Sequence, residues 1–287
     1  MAGRIVVEGL PLPMYLVFTG SEIEASAGTC VANAYCPQVT EVERGGITFD
    51  GYAVWTSNTK DNNIHRSIPA PGTMTRDFNI GPSPRGMTVD GANLWVAIHD
   101  GVVKVNPSDG TVLQTIGLPD GPILNVVFDG TNIWSVSRRE LHRIAGPGSP
   151  QLIDVPDFSF AMSEVASRGL IFDGANIWTA DGARNTVTKV RASDGLVAGT
   201  YAVGSRPIGL AFDGANIWVA NSGFNGPGDY NGTTVTVLRA SDGAVVATKT
   251  VSLGPVSVAF DGMRIWVGTV TGASFGKAMS DAALTKF

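Results

Sequence analysis

Few residues in this chain are of the types that carry chemistry: 287 residues hold three histidines and two cysteines. The most suggestive pair is His99 beside Asp100, with Asp181 as the remaining ionisable candidate. An imidazole next to a carboxylate is the raw material of general-base catalysis, and a nearby arginine can hold a developing anion. A metal centre would need several convergent acids or imidazoles, and the sequence brings none together. It also lacks a phosphate-cradling glycine loop and a nucleophile elbow. No metal and no cofactor are therefore expected. His65 and His142 recur in the matching contexts Ile-His-Arg and Leu-His-Arg, which reads as strand rather than site. Cys30 and Cys36 have no histidine nearby, so zinc is unexpected, and free thiols and a disulfide both remain open.

Binding chemistry is better represented than catalysis. Arg85 and Arg168 occupy matching positions, in Pro-Arg-Gly-Met-Thr-Val-Asp-Gly and Ser-Arg-Gly-Leu-Ile-Phe-Asp-Gly. Arg44 and Arg206 stand one or two residues further out in other copies. Guanidinium groups on one rim would bind a carboxylate, phosphate or acidic sugar through paired hydrogen bonds. Long side chains lying over strand edges are the competing reading. Two stretches break the regularity of the chain, at 155–167 and 222–232. The first carries Phe158, Phe160 and Met162, and the second carries Phe224 and Tyr230 as candidate contact aromatics. Long loops on a rigid scaffold are where recognition tends to reside, although filler is the plainer reading.

The elements that must position these residues follow from the tryptophans. Trp55, Trp95, Trp134, Trp178, Trp218 and Trp266 each end a motif Asp-Gly-x-x-apolar-Trp, at spacings of 40, 39, 44, 40 and 48. A period near forty built on a turn and a tryptophan marks a repeat architecture. In the copy from Pro207, 208–212 reads as a strand, Asp213-Gly214-Ala215-Asn216 as a tight turn, and 217–220 as a second strand. Strands at 233–238 and 244–251 complete an antiparallel meander. The two inner strands are apolar on both faces, which calls for a sheet covered on both sides, as in blades around an axis. The expected fold is all-β: a seven-bladed β-propeller of four-stranded blades in one domain spanning 1–287, with six blades as the alternative. Residues 44–287 supply six regular repeats. Residues 10–43 read as a degenerate first blade, because 13–25 aligns with 255–267 with Thr19 and Glu24 in place of Asp261 and Trp266. Residues 1–9 read as a strand that closes the last blade, with 284–287 competing for that place. That last blade is expected to have its third strand near 274–279.

On this frame, the position three residues past each tryptophan enters the loop between second and third strands. It holds Asn58, Ile98, Ser137, Asp181, Asn221 and Thr269, and Asn and Asp there also serve to close their own turns. Asn221 joins Arg85, Arg168, Arg206, Phe224 and Tyr230 as a candidate binding residue at the channel mouth.

The repeats Phe-Asp-Gly-Ala-Asn-Ile-Trp-Val-Ala-Asn-Ser-Gly and Thr-Val-Thr-Val-Leu-Arg-Ala-Ser-Asp-Gly-Ala-Val-Val resemble bacterial YVTN/NHL-type propeller repeats, including streptogramin-lyase-like and quinoprotein-like members. The resemblance covers essentially the whole chain. It implies a propeller, and it admits lyases, hydrolases, sugar or peptide binders and plain scaffolds. A streptogramin-lyase-like elimination would use a histidine base near a metal-polarised substrate, and His99 is the one placed for it.

A net charge of −5 and a pI near 5.2 argue against nucleic-acid or anionic-membrane surfaces, and no apolar run approaches a membrane span. Leu10-Pro11-Leu12-Pro13 interrupts any leader-like layout at the N-terminus. The expected function is non-catalytic recognition of a protein or glycan, by a component of a virion such as a phage tail, or of a cell-surface assembly. An enzyme of the lyase or hydrolase kind is the alternative. A virion or extracellular surface is favoured over cytoplasm, and a larger homo- or hetero-assembly is an expected setting.

Overall fold

The Asp-Gly-x-x-apolar-Trp motif is a hairpin whose every polar atom has a purpose. Its glycine takes a φ of 91–97° in all six copies, a conformation that costs glycine nothing. One carboxylate oxygen of the aspartate accepts the backbone N–H groups two and three residues on, at 2.6–2.9 Å. The other accepts the tryptophan Nε1–H at 2.6–2.7 Å in all six. Asn93, Asn132, Asn176 and Asn216 add a side-chain N–H donor to the same carboxylates. Burial pushes the carboxyls of Asp90, Asp129 and Asp213 upward, but the tryptophan, backbone and asparagine bonds outweigh it and hold them below the ordinary value. Asp261 is also lowered, chiefly by the bond from Trp266.

The computed structural model describes residues 46–68, 74–118, 121–144, 151–153, 169–226, 229–271 and 281–287. These form antiparallel sheets arranged as six blades. Blade 1 contains β1 (Ile47–Phe49), β2 (Val54–Asn58), β3 (Asn63–Ile68) and β4 (Met74–Asn79). Blade 2 contains β5 (Met87–Val89), β6 (Leu94–Ile98), β7 (Gly101–Val105) and β8 (Val112–Gly117). Blade 3 contains β9 (Asn125–Phe128), β10 (Ile133–Val136), β11 (Leu141–Ile144) and β12 (Gln151–Ile153). Blade 4 contains β13 (Leu170–Phe172), β14 (Asn176–Asp181), β15 (Thr186–Arg191) and β16 (Val197–Ala202). Blade 5 starts with β17 (Pro207–Phe212) and β18 (Asn216–Asn221), then inserts a hairpin of β19 (Phe224–Gly226) and β20 (Asp229–Tyr230). It resumes with β21 (Thr234–Arg239) and β22 (Val245–Thr250). Blade 6 contains β23 (Pro255–Phe260), β24 (Ile265–Thr271) and β25 (Asp281–Lys286).

The propeller expected from the repeats is present, with six blades in the described residues, the alternative count. The seventh blade expected at 10–43 and the closing strand expected at 1–9 lie outside them, as do Cys30 and Cys36. One expectation is corrected. The third strand of blade 6 is Asp281–Lys286, which pairs Trp266 with Lys286 and Thr271 with Asp281, rather than a strand near 274–279. β25 forms the edge of this three-stranded sheet, and residues 272–280 lie outside the described residues.

The apolar core lies between blades. Trp95 of blade 2 packs with Val126 and Ile133 of blade 3, Trp134 with Leu170 and Ile177 of blade 4, and Trp178 with Leu210 and Ile217 of blade 5. The second strands of blades 2, 3 and 4 are therefore buried on both faces, which is why they do not alternate in polarity, whereas β2 of blade 1 alternates buried and half-buried residues. A second device crosses these boundaries. A cation on the third strand lies over the tryptophan of its own blade: Arg66 at 5.5 Å, Lys104 at 5.2 Å, Arg143 at 5.8 Å and Lys189 at 5.2 Å from the ring centroid. Beyond the ring, Lys189 donates to Ala240 O (2.6 Å) and Ser241 O (3.1 Å) in the turn between the third and fourth strands of blade 5. Arg143 donates likewise to Ala192 O and Ser193 O, and Arg66 to Ser108 O.

Candidate functional site

The first strands of all six blades line a central cavity of about 410 Å³. Its wall is apolar, with Leu170, Leu210, Val258 and the phenylalanines that precede the aspartates, relieved by Thr48, Thr88 and Asn125. Four residues before each aspartate the strands crowd, and there the sequence places Gly46, Gly86, Gly169 and Gly209. A Cβ on Gly86 would come within 2.7 Å of Asn125 Cα, and one on Gly209 within 2.9 Å of Val256 O. Glycine at this position lets neighbouring strands close to a throat.

Above the throat one face carries the connections between second and third strands and those between blades. Asp181 stands there, buried, with one carboxylate oxygen accepting the N–H groups of Ala183 (2.9 Å) and Arg184 (3.2 Å). Its other oxygen meets the Arg184 guanidinium at 3.2 Å. Asn58 accepts the N–H groups of Lys60 and Asp61, and Ser137 those of Arg139 and Glu140, in the same manner. These positions close their own turns. Asn221, 1 % exposed, spans further: it accepts from Gly204 N–H and donates to the hydroxyls of Thr234 and Thr236.

His99 and Asp100 lie at an exposed turn, joined through Nδ1 and Oδ1, with the backbone of His99 donating to Pro82 O. Their side chains are 49 % and 72 % exposed. Arg85 is half-buried, and its carbonyl accepts Gly46 N–H and the Ser57 hydroxyl, tying blade 1 to blade 2. Arg206 is half-buried with a left-handed φ of 52°, held by Asn185 Oδ1 on its N–H and by Ser222 on its carbonyl. Gly254 fills the corresponding place before Pro255, and Ser83 (φ 51°) the one before Pro84, where Asn62 supplies the same clamp. Arg168 and the insertion at 155–167 lie outside the described residues. The face therefore brings His99, Asp100, Asp181, Arg85, Arg206 and Asn221 to one side of the disc, while the hydrogen bonds tie Asp181 and Asn221 into the scaffold.

The described residues of the 222–232 insertion pack around Phe224. That ring is 8 % exposed and lies 5.1 Å from the ring of Tyr230, which packs on Ile208 and Val256 beside the throat. Ser222 anchors the base of the hairpin by donating to Arg206 O and accepting Phe224 N–H. Phe224 thus secures the loop from within, and Asn225, Asp229, Asn231 and Thr233 are exposed on its outside.

The other histidines are engaged. His65 pairs with Asp77 at 2.6 Å across β3 and β4, and the buried His142 reaches Glu140 at 3.2 Å. Among the described residues, no group of three or more His, Cys, Asp or Glu is placed to hold a metal ion. None of their helices is long and apolar enough to cross a membrane. The clamps Asn62 and Asn185, the anchor Ser222 and the exposed Arg139 were not singled out from sequence. Asn62 and Asn185 had one available signal, an asparagine immediately before the third strand in two copies.

No protein-family model matches the chain, and no curated protein matches it. Among solved structures, one titled "Streptogramin B lyase structure" superposes with a TM-score of 0.64 over 95 % of this chain and 86 % of that one, at 13 % identity. At that identity the likeness is one of fold. The chain is a β-propeller built from repeats.

Proposed function

We propose that this propeller is a non-catalytic recognition module that presents its loop-bearing face to a protein or glycan. The observation that carries the reading is the division of labour on that face. Its buried polar groups, Asp181, Asn221 and Ser222, and the exposed Asn185 are spent on fixing loops, while the 222–232 hairpin is held from within by Phe224 and exposes amides and a carboxylate. A loop fixed before binding loses little entropy on association. The half-buried Arg206 stands at its base, where its carbonyl accepts the Ser222 hydroxyl and its guanidinium can serve as a donor for carboxylate or carbonyl groups. A surface setting, in a virion or cell-surface assembly, suits a rigid disc with such a loop. The test replaces 225–231 with Gly and Ser and compares the bound species with wild type. Loss of binding at unchanged melting supports the reading, and unaltered binding rejects it.

The second reading is an enzyme at the channel mouth. It is favoured by the exposed His99–Asp100 pair and by the fold shared with a structure titled as a streptogramin B lyase. A turnover with a cyclic ester substrate that disappears in His99→Ala, with Mg²⁺ supplied, would establish it in place of the first.

A further inference from the structure

The boundary between blades 2 and 3 opens into a cavity of about 270 Å³ on the face opposite the loops. Its walls include Asp90, Trp95, Lys104, Gln114, Phe128 and Thr131. Asp90 and Thr131 belong to the hairpin turns of the two blades. Lys104 belongs to the set of cations that lie over tryptophans, and its ammonium is 5.2 Å from the Trp95 centroid. We propose that this cavity binds a sugar acid, whose carboxylate is held by Lys104 and Gln114 and whose ring lies against Phe128.

The other boundaries show what this position takes. Lys189 donates to two carbonyl oxygens on consecutive residues, and Arg143 does the same. Both receiving turns contain Ser-Asp-Gly, at 193–195 and 241–243. In blade 3 the corresponding connection reads Ala145-Gly-Pro-Gly-Ser-Pro150, which lies outside the described residues. Among the described residues no acceptor is placed on the Lys104 ammonium, and the space beside it is a cavity. A carboxylate offers two close oxygens in place of two carbonyls, with charge added.

The rest of the lining narrows the class. Asp90 already receives Trp95 Nε1–H, two backbone N–H groups and the Asn93 amide, so its carboxylate is saturated by donors. That leaves Lys104, the Gln114 amide and the Thr131 hydroxyl to meet a ligand. Phe128 and Ile133 supply an apolar wall for the C–H face of a ring. A volume just under the usual range of ligand sites, roughly 300–1,000 Å³, limits the occupant to about one ring.

The test titrates the full chain with glucuronate, glucose and acetate by calorimetry. Variants are Lys104→Met and Gln114→Ala, and melting confirms that each is folded. The expected result is saturable glucuronate binding with a Kd of about 1 mM or tighter. Glucose and acetate are expected to bind more weakly. Lys104→Met should weaken glucuronate roughly tenfold or more, as expected for loss of a charge-assisted bond. Gln114→Ala, on the half-exposed strand β8, should weaken it less and serves if the lysine variant fails to fold. Absence of saturable glucuronate binding overturns the proposal, as does equal affinity for glucose or indifference to both substitutions. Replacing 225–231, on the opposite face, should leave this binding intact, so it stands or falls apart from the recognition reading.

Discussion

Trp178→Ala is the sharpest test of how the repeat motif holds the blades. The indole is fully buried at the boundary of blades 4 and 5, against Leu210, Ile217 and Leu238. Tyr201 lies 5.6 Å from it by centroid and the Lys189 ammonium lies 5.2 Å away. Removing it opens a cavity between two sheets that cannot collapse independently, at a cost of about 3–5 kcal/mol. The Nε1–H bond to Asp173 adds about 1 kcal/mol. Asp173 keeps the N–H groups of Ala175 and Asn176 and the Asn176 side-chain amide, so its charge is not stranded. Trp178→Phe separates the contributions, because it keeps much of the buried area and loses the donor, with an expected cost of about 1–2 kcal/mol. At about 2–4 °C per kcal/mol for a domain of comparable size, the alanine variant should melt roughly 10 °C lower and the phenylalanine variant a few degrees lower. Circular dichroism melts and urea titrations check both. An alanine variant that loses under about 1 kcal/mol, or a phenylalanine variant equal to it, would refute the reasoning.

Further outcomes follow from the same geometry. Gly86→Ala drives a Cβ to within 2.7 Å of Asn125 Cα. It should cost about 1–3 kcal/mol or more through strand displacement. Gly214→Ala meets open space and pays only for its φ of 97°. It should cost about 1–2 kcal/mol, so a reversed order in urea midpoints would contradict the throat. The carboxyls of Asp90, Asp129, Asp213 and Asp261 are lower folded than unfolded, so their contribution is complete above the unfolded value and fades as pH falls through the folded one. The urea midpoint should therefore hold from pH 7 to about 5 and drop steeply below about pH 4, and Asp90→Asn should flatten that drop. Deleting residues 1–9 tests the expected closing strand: a broadened, earlier melt is the outcome it calls for, and an unchanged cooperative melt counts against it.

Much of the fold was legible because its signals are local. The hydrogen bonds of Asp213 to Ala215, Asn216 and Trp218 all fall within five residues, and the sequence repeats them in register. The strands of blade 5 lie within about a residue of their expected ends for the same reason. What escaped depends on distance along the chain. Lys189 finds its carbonyls 51 and 52 residues away, and nothing near Lys189 announces them. The third strand of blade 6 was expected near 274–279 and is Asp281–Lys286, because the sequence from 272 to 280 carries no turn motif to fix its start. The candidate site was legible as a face but not as a division of roles. Asp181 and Asn58 share a position, and residue type alone does not reveal that both close turns whereas Asn221 ties strands together. Phe224 looked like a contact residue from its place in a loop, and the pairing of Phe224 with Tyr230 shows it folded inward.

The most direct measurement of the central claim is solution mass by light scattering, with and without lysate of the source organism, for wild type and for the variant replaced at 225–231. The account calls for a discrete larger species with wild type that is absent with the loop variant, while both melt alike. A complex formed equally by the loop variant would contradict it, as would a wild-type chain that stays at its own mass and shows a turnover abolished by His99→Ala.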